Sequence, residues 1–180
     1  AFRSRYKDFV DKWYNPNLTL ENESFEIRPW VHVDPATTKV PIKALMFTHN
    51  LNHEGAPNSM FELVDGLRSM DCIDPLVVSP SDGPLRTAYN ERAVPISLVT
   101  HPLADCHTES EFNTRLDLLA NMIRSSKAEV VYSNTAEGFW SIEAASRAGV
   151  PSIWNIRESE PWHAYYNALP EFARSVAYKA

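Results

Sequence analysis

Lys43-Ala44-Leu45-Met46-Phe47-Thr48-His49-Asn50-Leu51-Asn52-His53-Glu54-Gly55-Ala56-Pro57 marks the point where the chain changes character. Ala44 to Thr48 form an apolar run without polar alternation, the pattern of a strand covered on both faces. The run leads straight into a polar loop, His49 to Pro57, after which Met60, Leu63, Val64 and Leu67 recur at helical spacing. A buried strand, a polar loop and an amphipathic helix make the repeating unit of a parallel α/β sheet, in which ligands bind at the carboxyl ends of the strands.

Downstream the same alternation repeats. Ser59 and Glu62 are spaced as a capping box, which places the first helix over about 58–70. Pro75–Ser79 reads as the second strand. Ser81-Asp82-Gly83-Pro84 offers a cap and a first-turn proline for a helix reaching about Arg92, and Ala93–Val99 is the third strand. Thr108 and Glu111 form a second capping box ahead of Phe112, Leu116, Leu119, Ala120 and Ile123, the longest clean helical stripe in the chain. Glu129–Ser133 is the fourth strand, Asn134 the expected cap of a helix through Ala148, and Gly149 with Pro151 its stop before the fifth strand, Ser152–Ile156. Trp162, Tyr165, Tyr166 and Leu169 begin a last helical segment that Pro170 breaks. Five strands separated by helices predict a Rossmann-like, doubly wound parallel sheet with right-handed crossovers.

Upstream, residues 1–41 are polar and charged with scattered aromatics and end in the proline-bearing stretch Asp34–Pro41, the texture of an N-terminal arm or linker; the domain itself is expected over 42–180. Within the arm, Phe2, Tyr6, Phe9, Val10 and Trp13 are spaced for a short amphipathic helix. A chain of 180 residues, 44% hydrophobic, suffices for one well-packed domain and is too short for two full-sized ones. Its net charge of −6 without a basic block argues against nucleic acid as partner. Cys72 and Cys106 make no disulfide framework, and no stretch approaches the about 20 apolar residues of a membrane span, so a cytoplasmic protein is the expectation. The sequons at Asn17 and Asn22 carry no weight in a protein that is not exported.

Three polar loops at strand ends hold the candidate site. The candidate binding residues are Asn50, Asn52, Glu54, Gly55 and Ala56 after strand one, and Ser133 and Asn134 after strand four; Arg157 and Glu158 after strand five are the candidate catalytic pair. With neither a GxGxxG fingerprint nor a GxxxxGK[ST] loop, NAD and ATP are poor fits. Gly55, ahead of a helix, either lets backbone amides approach a phosphate or makes a plain tight turn. His49 with His53, and His101 with Cys106 and His107, match no common metal spacing, so no metal is expected. Arg157 and Glu158 follow a buried strand, where they either pair with each other and a neighbour or face a cleft; there an arginine could grip a phosphate and a glutamate take hydroxyl bonds or act as a base.

The stretch Lys43–Pro57 resembles the opening strand and loop of family 4 glycosyltransferases. The likeness continues through Phe61–Arg68 as the first helix, Val77–Leu85 as the second strand and turn, Val130–Thr135 as the fourth strand, and Ala144–Glu160. It covers residues 43 to 180 and implies one half of the GT-B architecture, two Rossmann-like domains facing across a cleft. It further implies a sugar nucleotide, UDP- or GDP-linked, as donor substrate without a separate cofactor. The donor would sit in a C-terminal domain, with this chain as the acceptor-side half, inactive when isolated. Retention at the anomeric carbon, hexosyl transfer to a glycan or lipid-type acceptor in polysaccharide biosynthesis, and peripheral contact with a membrane belong to the same implication. Glu54-Gly55-Ala56 stands where the family often has a Gly-Gly pair near the donor diphosphate, and Arg157 and Glu158 stand where many relatives have a histidine. The alternatives are a non-catalytic carbohydrate- or protein-binding module and half of a sugar-nucleotide epimerase.

Overall fold

A computed structural model describes residues 40–158 and 161–180; the expected arm helix over Phe2–Trp13, the rest of residues 1–39, and Ser159 and Glu160 lie outside the described residues. Five parallel strands, β1 (Ile42–Phe47), β2 (Ile73–Ser79), β3 (Ile96–Leu98), β4 (Val130–Asn134) and β5 (Ser152–Asn155), stand in the order β3-β2-β1-β4-β5. The helices are α1 (Gly55–Ser69), α2 (Leu85–Glu91), α3 (Glu109–Ser126), α4 (Phe139–Ala148), α5 (Trp162–Tyr166) and α6 (Glu171–Ala177), and a 3-10 turn, Ala136–Gly138, precedes α4. This is the Rossmann-like α/β fold expected from the sequence, with each strand boundary within about three residues of its expected place.

β1 sits between β2 and β4, with Leu45 in register with Leu76 on one side and Val131 on the other. Ala44 and Met46 join a core with Leu51, Met60, Val64, Val77 and Tyr89, under α1 and α2. Leu45 and Phe47 join the opposite core with Phe112, Leu116, Ile123, Val131 and Trp140, under α3 and α4. Period-two alternation is present in the strand, but both sides are apolar because both faces are covered. Pro75 falls inside β2, opposite Ala44, and is tolerated there for a topological reason. The Val77 N–H donates across to Pro95, so the position two residues earlier faces the same side, where β3 has not yet begun and no ladder donor is required.

The helix starts differ in how far they follow local sequence. At α3 the expected box is present: Thr108 accepts from the Glu111 N–H, and Glu111 Oε2 accepts from the N–H groups of His107 (2.9 Å) and Thr108 (3.1 Å). At α1 it is not. The helix begins at Gly55, with Glu54 extended as its N-cap, so Ser59 and Glu62 lie beyond the start and cap nothing. Pro57 fits the first turn because its missing N–H would have had no intrahelical acceptor. Asn134 is likewise not a helix cap but the last residue of β4; α4 starts five residues later, after the 3-10 turn. Gly149 ends α4 in the left-handed region at φ 74°, as its sequence position suggests. Arg147 then ties α4 to α3 through Asp117 (3.0 Å) and Asn113 Oδ1 (2.7 Å) while pairing with Glu143 on its own helix (2.8 Å).

Gly83 is needed for space. A Cβ there would lie 2.4 Å from the Leu51 carbonyl oxygen, which also accepts the Leu85 N–H at 2.9 Å, so the turn before α2 lies directly on the loop after β1. Gly66, inside α1, has nothing within 4 Å of such an atom. Gly83→Ala is therefore expected to lower the unfolding free energy by about 3 kcal/mol. Gly66→Ala should raise it by about 0.8 kcal/mol, and chemical denaturation reads both.

The α3 cap carries a pH signature. Bonds from the His107 N–H first and the Thr108 N–H next hold the Glu111 carboxyl below its usual range. A depressed folded value means that this contribution is present above the unfolded glutamate range and is lost as pH falls through the folded value. Glu111→Gln should therefore flatten the stability profile between about pH 5 and 3, while Thr108→Ala should cost about 1 kcal/mol at neutral pH.

Candidate functional site

In the order β3-β2-β1-β4-β5 the chain leaves β1 for one face of the sheet and β4 for the other, which opens a crevice between their carboxyl ends. The loop after β1 is ordered by its own side chains. Thr48 Oγ1 donates to the Asn50 carbonyl (3.1 Å), and Asn50 Oδ1 accepts the Asn52 N–H (2.9 Å), the side-chain mimic of a backbone turn. Glu54 receives the Asn50 amide (3.2 Å), the Asn52 amide (3.2 Å) and His49 Nε2 (3.4 Å). Those bonds, Asn50 foremost, hold its carboxyl below the usual range, so it stays charged. A carboxylate only accepts, so His49 donates through Nε2; its Nδ1 is buried with no bond to a described residue.

α1 enters the crevice end-on. Glu54 makes no side-chain cap bond, Pro57 has no N–H, and the first helical bond is Asn58 N–H to Glu54. Within the described residues the N–H groups of Gly55 and Ala56 donate to no acceptor. The end is anchored from the other side of the switch point: Asn134 Nδ2 donates to the Ala56 carbonyl (2.7 Å), and Asn155 Nδ2 donates to Asn134 Oδ1 (3.1 Å). One amide side chain thus joins α1, β4 and β5. Arg157 reaches across from β5 and donates from Nη1 to Ser59 Oγ, one turn into α1, which brings a cation to the same end of the helix.

Glu158, the neighbour of Arg157, is engaged with backbone. Oε1 accepts the Ala136 N–H (2.7 Å) and Oε2 accepts the Arg157 N–H (2.9 Å). Of the two expectations for this pair, each residue finds a neighbour of its own and no ion pair joins them. The Ala136 bond secures a strained link, because Thr135 has φ 73° and ψ 159°, a region that is essentially glycine's. Its N–H donates to Asn155 O (2.9 Å), its carbonyl accepts Trp154 Nε1 (2.8 Å), and the next carbonyl, of Ala136, accepts the Tyr166 hydroxyl (2.9 Å). Burial pushes the Tyr166 hydroxyl up to about 12, so it remains a donor.

The candidate residues therefore fall into distinct settings. Asn50, half-buried, joins the exposed Asn52 and Glu54 in one cluster; Gly55 and Ala56 are the open first turn; Asn134 and Arg157 bond α1 from the far strands. Ser133 is fully buried and donates to the Gly138 carbonyl (3.3 Å), with a Gly138 Cβ leaving it no room at 1.9 Å. His101 accepts the Leu103 N–H at Nδ1 (3.1 Å), and Cys106 donates to the Thr108 carbonyl (3.5 Å), so these side chains serve the loop before α3. Among the described residues no three His, Cys, Asp or Glu side chains group as metal ligands. Sequence reasoning missed Ser59 as the partner of Arg157, Asn155 as the support of Asn134, and Thr135 as a strained link. Only Asn155, a polar residue at the carboxyl end of the fifth strand, carried a signal.

No protein-family model matches the chain, and no curated protein matches it in sequence. Solved structures do match in fold. A glycosyltransferase from Rickettsia africae ESF-5 is similar over 72% of this chain and 34% of its own, at 14% identity and a TM-score of 0.53. A protein from Listeria monocytogenes assigned as a UDP-N-acetylglucosamine 2-epimerase is similar over 77% and 36%, at 17% identity and 0.50. Anabaena Alr3699/HepE in complex with UDP-glucose gives 63%, 28%, 16% and 0.49. The chain spans about a third of the length of these three structures. At these identities the likeness is one of fold: a Rossmann-like, GT-B glycosyltransferase-like α/β domain.

Proposed function

We propose that this chain is the acceptor-side domain of a family 4 glycosyltransferase, working with a second Rossmann-like domain that holds a UDP- or GDP-sugar. The reaction is transfer of a hexosyl unit, with retention, to a glycan or lipid-type acceptor in the cytoplasm, and this half alone does not turn over. The fold is shared with an epimerase, so the site must carry the proposal.

The observation that carries it is the first turn of α1. Two amides without acceptors, Gly55 and Ala56, open onto the strand switch point at the same end of α1 as the Arg157 guanidinium. A helix N-terminus and a cation together favour an anion, and in glycosyl transfer the anion is the departing diphosphate, whose charge grows as the bond to the sugar breaks. Donors already aimed at that charge stabilise the transition state more than the ground state. In this mechanism Arg157 and the two amides touch the diphosphate. Glu158 is a positioning residue, since both of its oxygens hold backbone N–H groups. Asn50, Asn52 and Glu54 shape the loop that borders the donor.

In the full-length protein that carries this domain, Arg157→Ala should lower turnover of the preferred UDP- or GDP-sugar about a hundredfold with circular dichroism and melting unchanged. Gly55→Ala is the sharper test. Its added methyl would have nothing within 4 Å, so folding is unaffected, and only a diphosphate at the helix end would sense it, as a rise of about tenfold in donor KM. Lack of turnover with every common UDP- and GDP-sugar would favour the non-catalytic binding module. Interconversion of a UDP-sugar with its epimer in the absence of acceptor would favour the epimerase.

A further inference from the structure

Next to the switch-point crevice lies a second hollow of about 240 Å³, lined by Phe139, Tyr165 and Tyr166, by Leu103 and Leu169, and by His101 and Glu137. It draws on the loop after β3, the turn after β4 and helix α5. His101 and Glu137 also line a cavity of about 30 Å³ that reaches Thr48, His49 and Asn134, so the hollow and the crevice share a wall. Its lining shares His101, Leu103 and Tyr166 with the loops described above but holds none of the residues proposed to touch the diphosphate.

The lining combines three aromatic rings and two leucines with two polar groups, His101 and Glu137. The Phe139 and Tyr166 rings meet edge to face with centroids 5.7 Å apart, and Tyr165 meets Tyr166 the same way at 6.2 Å. Tyr166 is pinned by its hydroxyl bond to the Ala136 carbonyl, so its ring is a fixed wall. Tyr165 is 37% exposed and lines the hollow. Of the polar groups, His101 accepts the Leu103 N–H at Nδ1, which puts the ring proton on Nε2. Burial disfavours its cation, so His101 presents one neutral N–H donor. Glu137, exposed at the rim, presents a carboxylate.

These groups select among ligand classes. An acyl chain would bury the His101 donor and the Glu137 carboxylate without partners, and an anion would meet the Glu137 charge. A pyranose ring has a C–H face that packs on aromatic and aliphatic side chains and hydroxyls that both donate and accept, and so serves the rings and the two polar groups together. A volume below the range of about 300–1,000 Å³ for drug-sized sites suits a single ring. We propose that this hollow is the subsite for one uncharged pyranose of the acceptor, packed on Tyr165 and hydrogen-bonded by His101 and Glu137. It deepens the glycosyltransferase assignment and rests on it for the word acceptor, though not for the binding itself.

The test needs no nucleotide. Amide shifts of the 180-residue protein are followed during titration with methyl glycosides of glucose, galactose and mannose and with N-acetylglucosamine. Cyclohexanol serves as a ring without the hydroxyl set, and glucuronate as an anionic one. At least one neutral glycoside should shift the residues of the hollow, with an affinity on the order of millimolar. Tyr165→Ala should weaken it about tenfold, Tyr165→Phe should leave it within about twofold, and Glu137→Gln should weaken it about fivefold. Absence of glycoside shifts in the hollow, equal binding of cyclohexanol, or indifference to Tyr165→Ala would each overturn the proposal. In the full-length protein, Tyr165→Ala should raise the acceptor KM about tenfold and leave the donor KM unchanged. Donor turnover with an unmoved acceptor KM would sink the subsite and leave glycosyl transfer standing. Glycoside binding without any donor turnover would do the reverse.

Discussion

Everything in this domain is arranged around β1, the strand buried on both faces and paired on both edges. Ala44 and Met46 close one core and Leu45 and Phe47 close the other, so two hydrophobic clusters with no helix in common meet on this central strand, as they do on β2 through Val77 and Val78. Burial of one such large side chain contributes about 1.5–3 kcal/mol, which makes this the segment least tolerant of a polar residue. Two-sided burial also fixes where function can reside. Helices must leave β1 and β4 toward opposite faces to cover both cores, and that divergence is what parts the chain at the strand ends and opens the crevice.

The crevice is held open by bonds between segments far apart in sequence. Asn134 joins α1 to β4 and β5 through its one amide group, and Glu158 supplies the acceptor for the Ala136 N–H beyond the strained Thr135. A residue in the conformation of Thr135 costs on the order of 1–3 kcal/mol and persists only where the surroundings over-determine it. Here Asn155, Trp154, Glu158 and Tyr166 all bond the two-residue link. The consequence is geometric: the turn into α4 stays low over β4, which puts Glu137 and Phe139 against the hollow and leaves Asn134 free to reach α1.

How much of this was legible in the sequence depended on the range of the interaction concerned. The strands and most helices declare themselves because apolar periodicity is local, and Thr108 with Glu111 caps α3 as its spacing predicts because each partner is within three residues. Ser59 and Glu62 have the same spacing and cap nothing. The Asn50–Glu54 cluster sets Glu54 extended and starts α1 at Gly55, and no rule of spacing contains that cluster. Asn134 is misread for the same reason: an asparagine after a strand suits a cap, but its partners lie 78 and 21 residues away. Gly83 is legible as a turn residue, whereas its actual need, contact with the Leu51 carbonyl, is tertiary. The location of the candidate site follows from strand order alone; its side-chain geometry does not.

The charge at the α1 end bears on why such a domain would work as one wall of a cleft and not as a complete site. Glu54 stands at the N-cap as a carboxylate kept charged by Asn50, Asn52 and His49, within a turn of the open amides of Gly55 and Ala56. Its charge offsets much of the roughly half-unit positive pole of the helix, which in the proposed reaction leaves Arg157 as the cation for a diphosphate. One guanidinium and two amides against a doubly charged group, in a crevice open to solvent, hold an anion weakly. Closure by a second domain would change the balance without any new residue in this one, because excluding water strengthens each of these contacts while the partner wall supplies the remaining countercharge. Under the proposed function, weak grip on the anion in the open state and strong grip in the closed state is the differential that lowers a barrier.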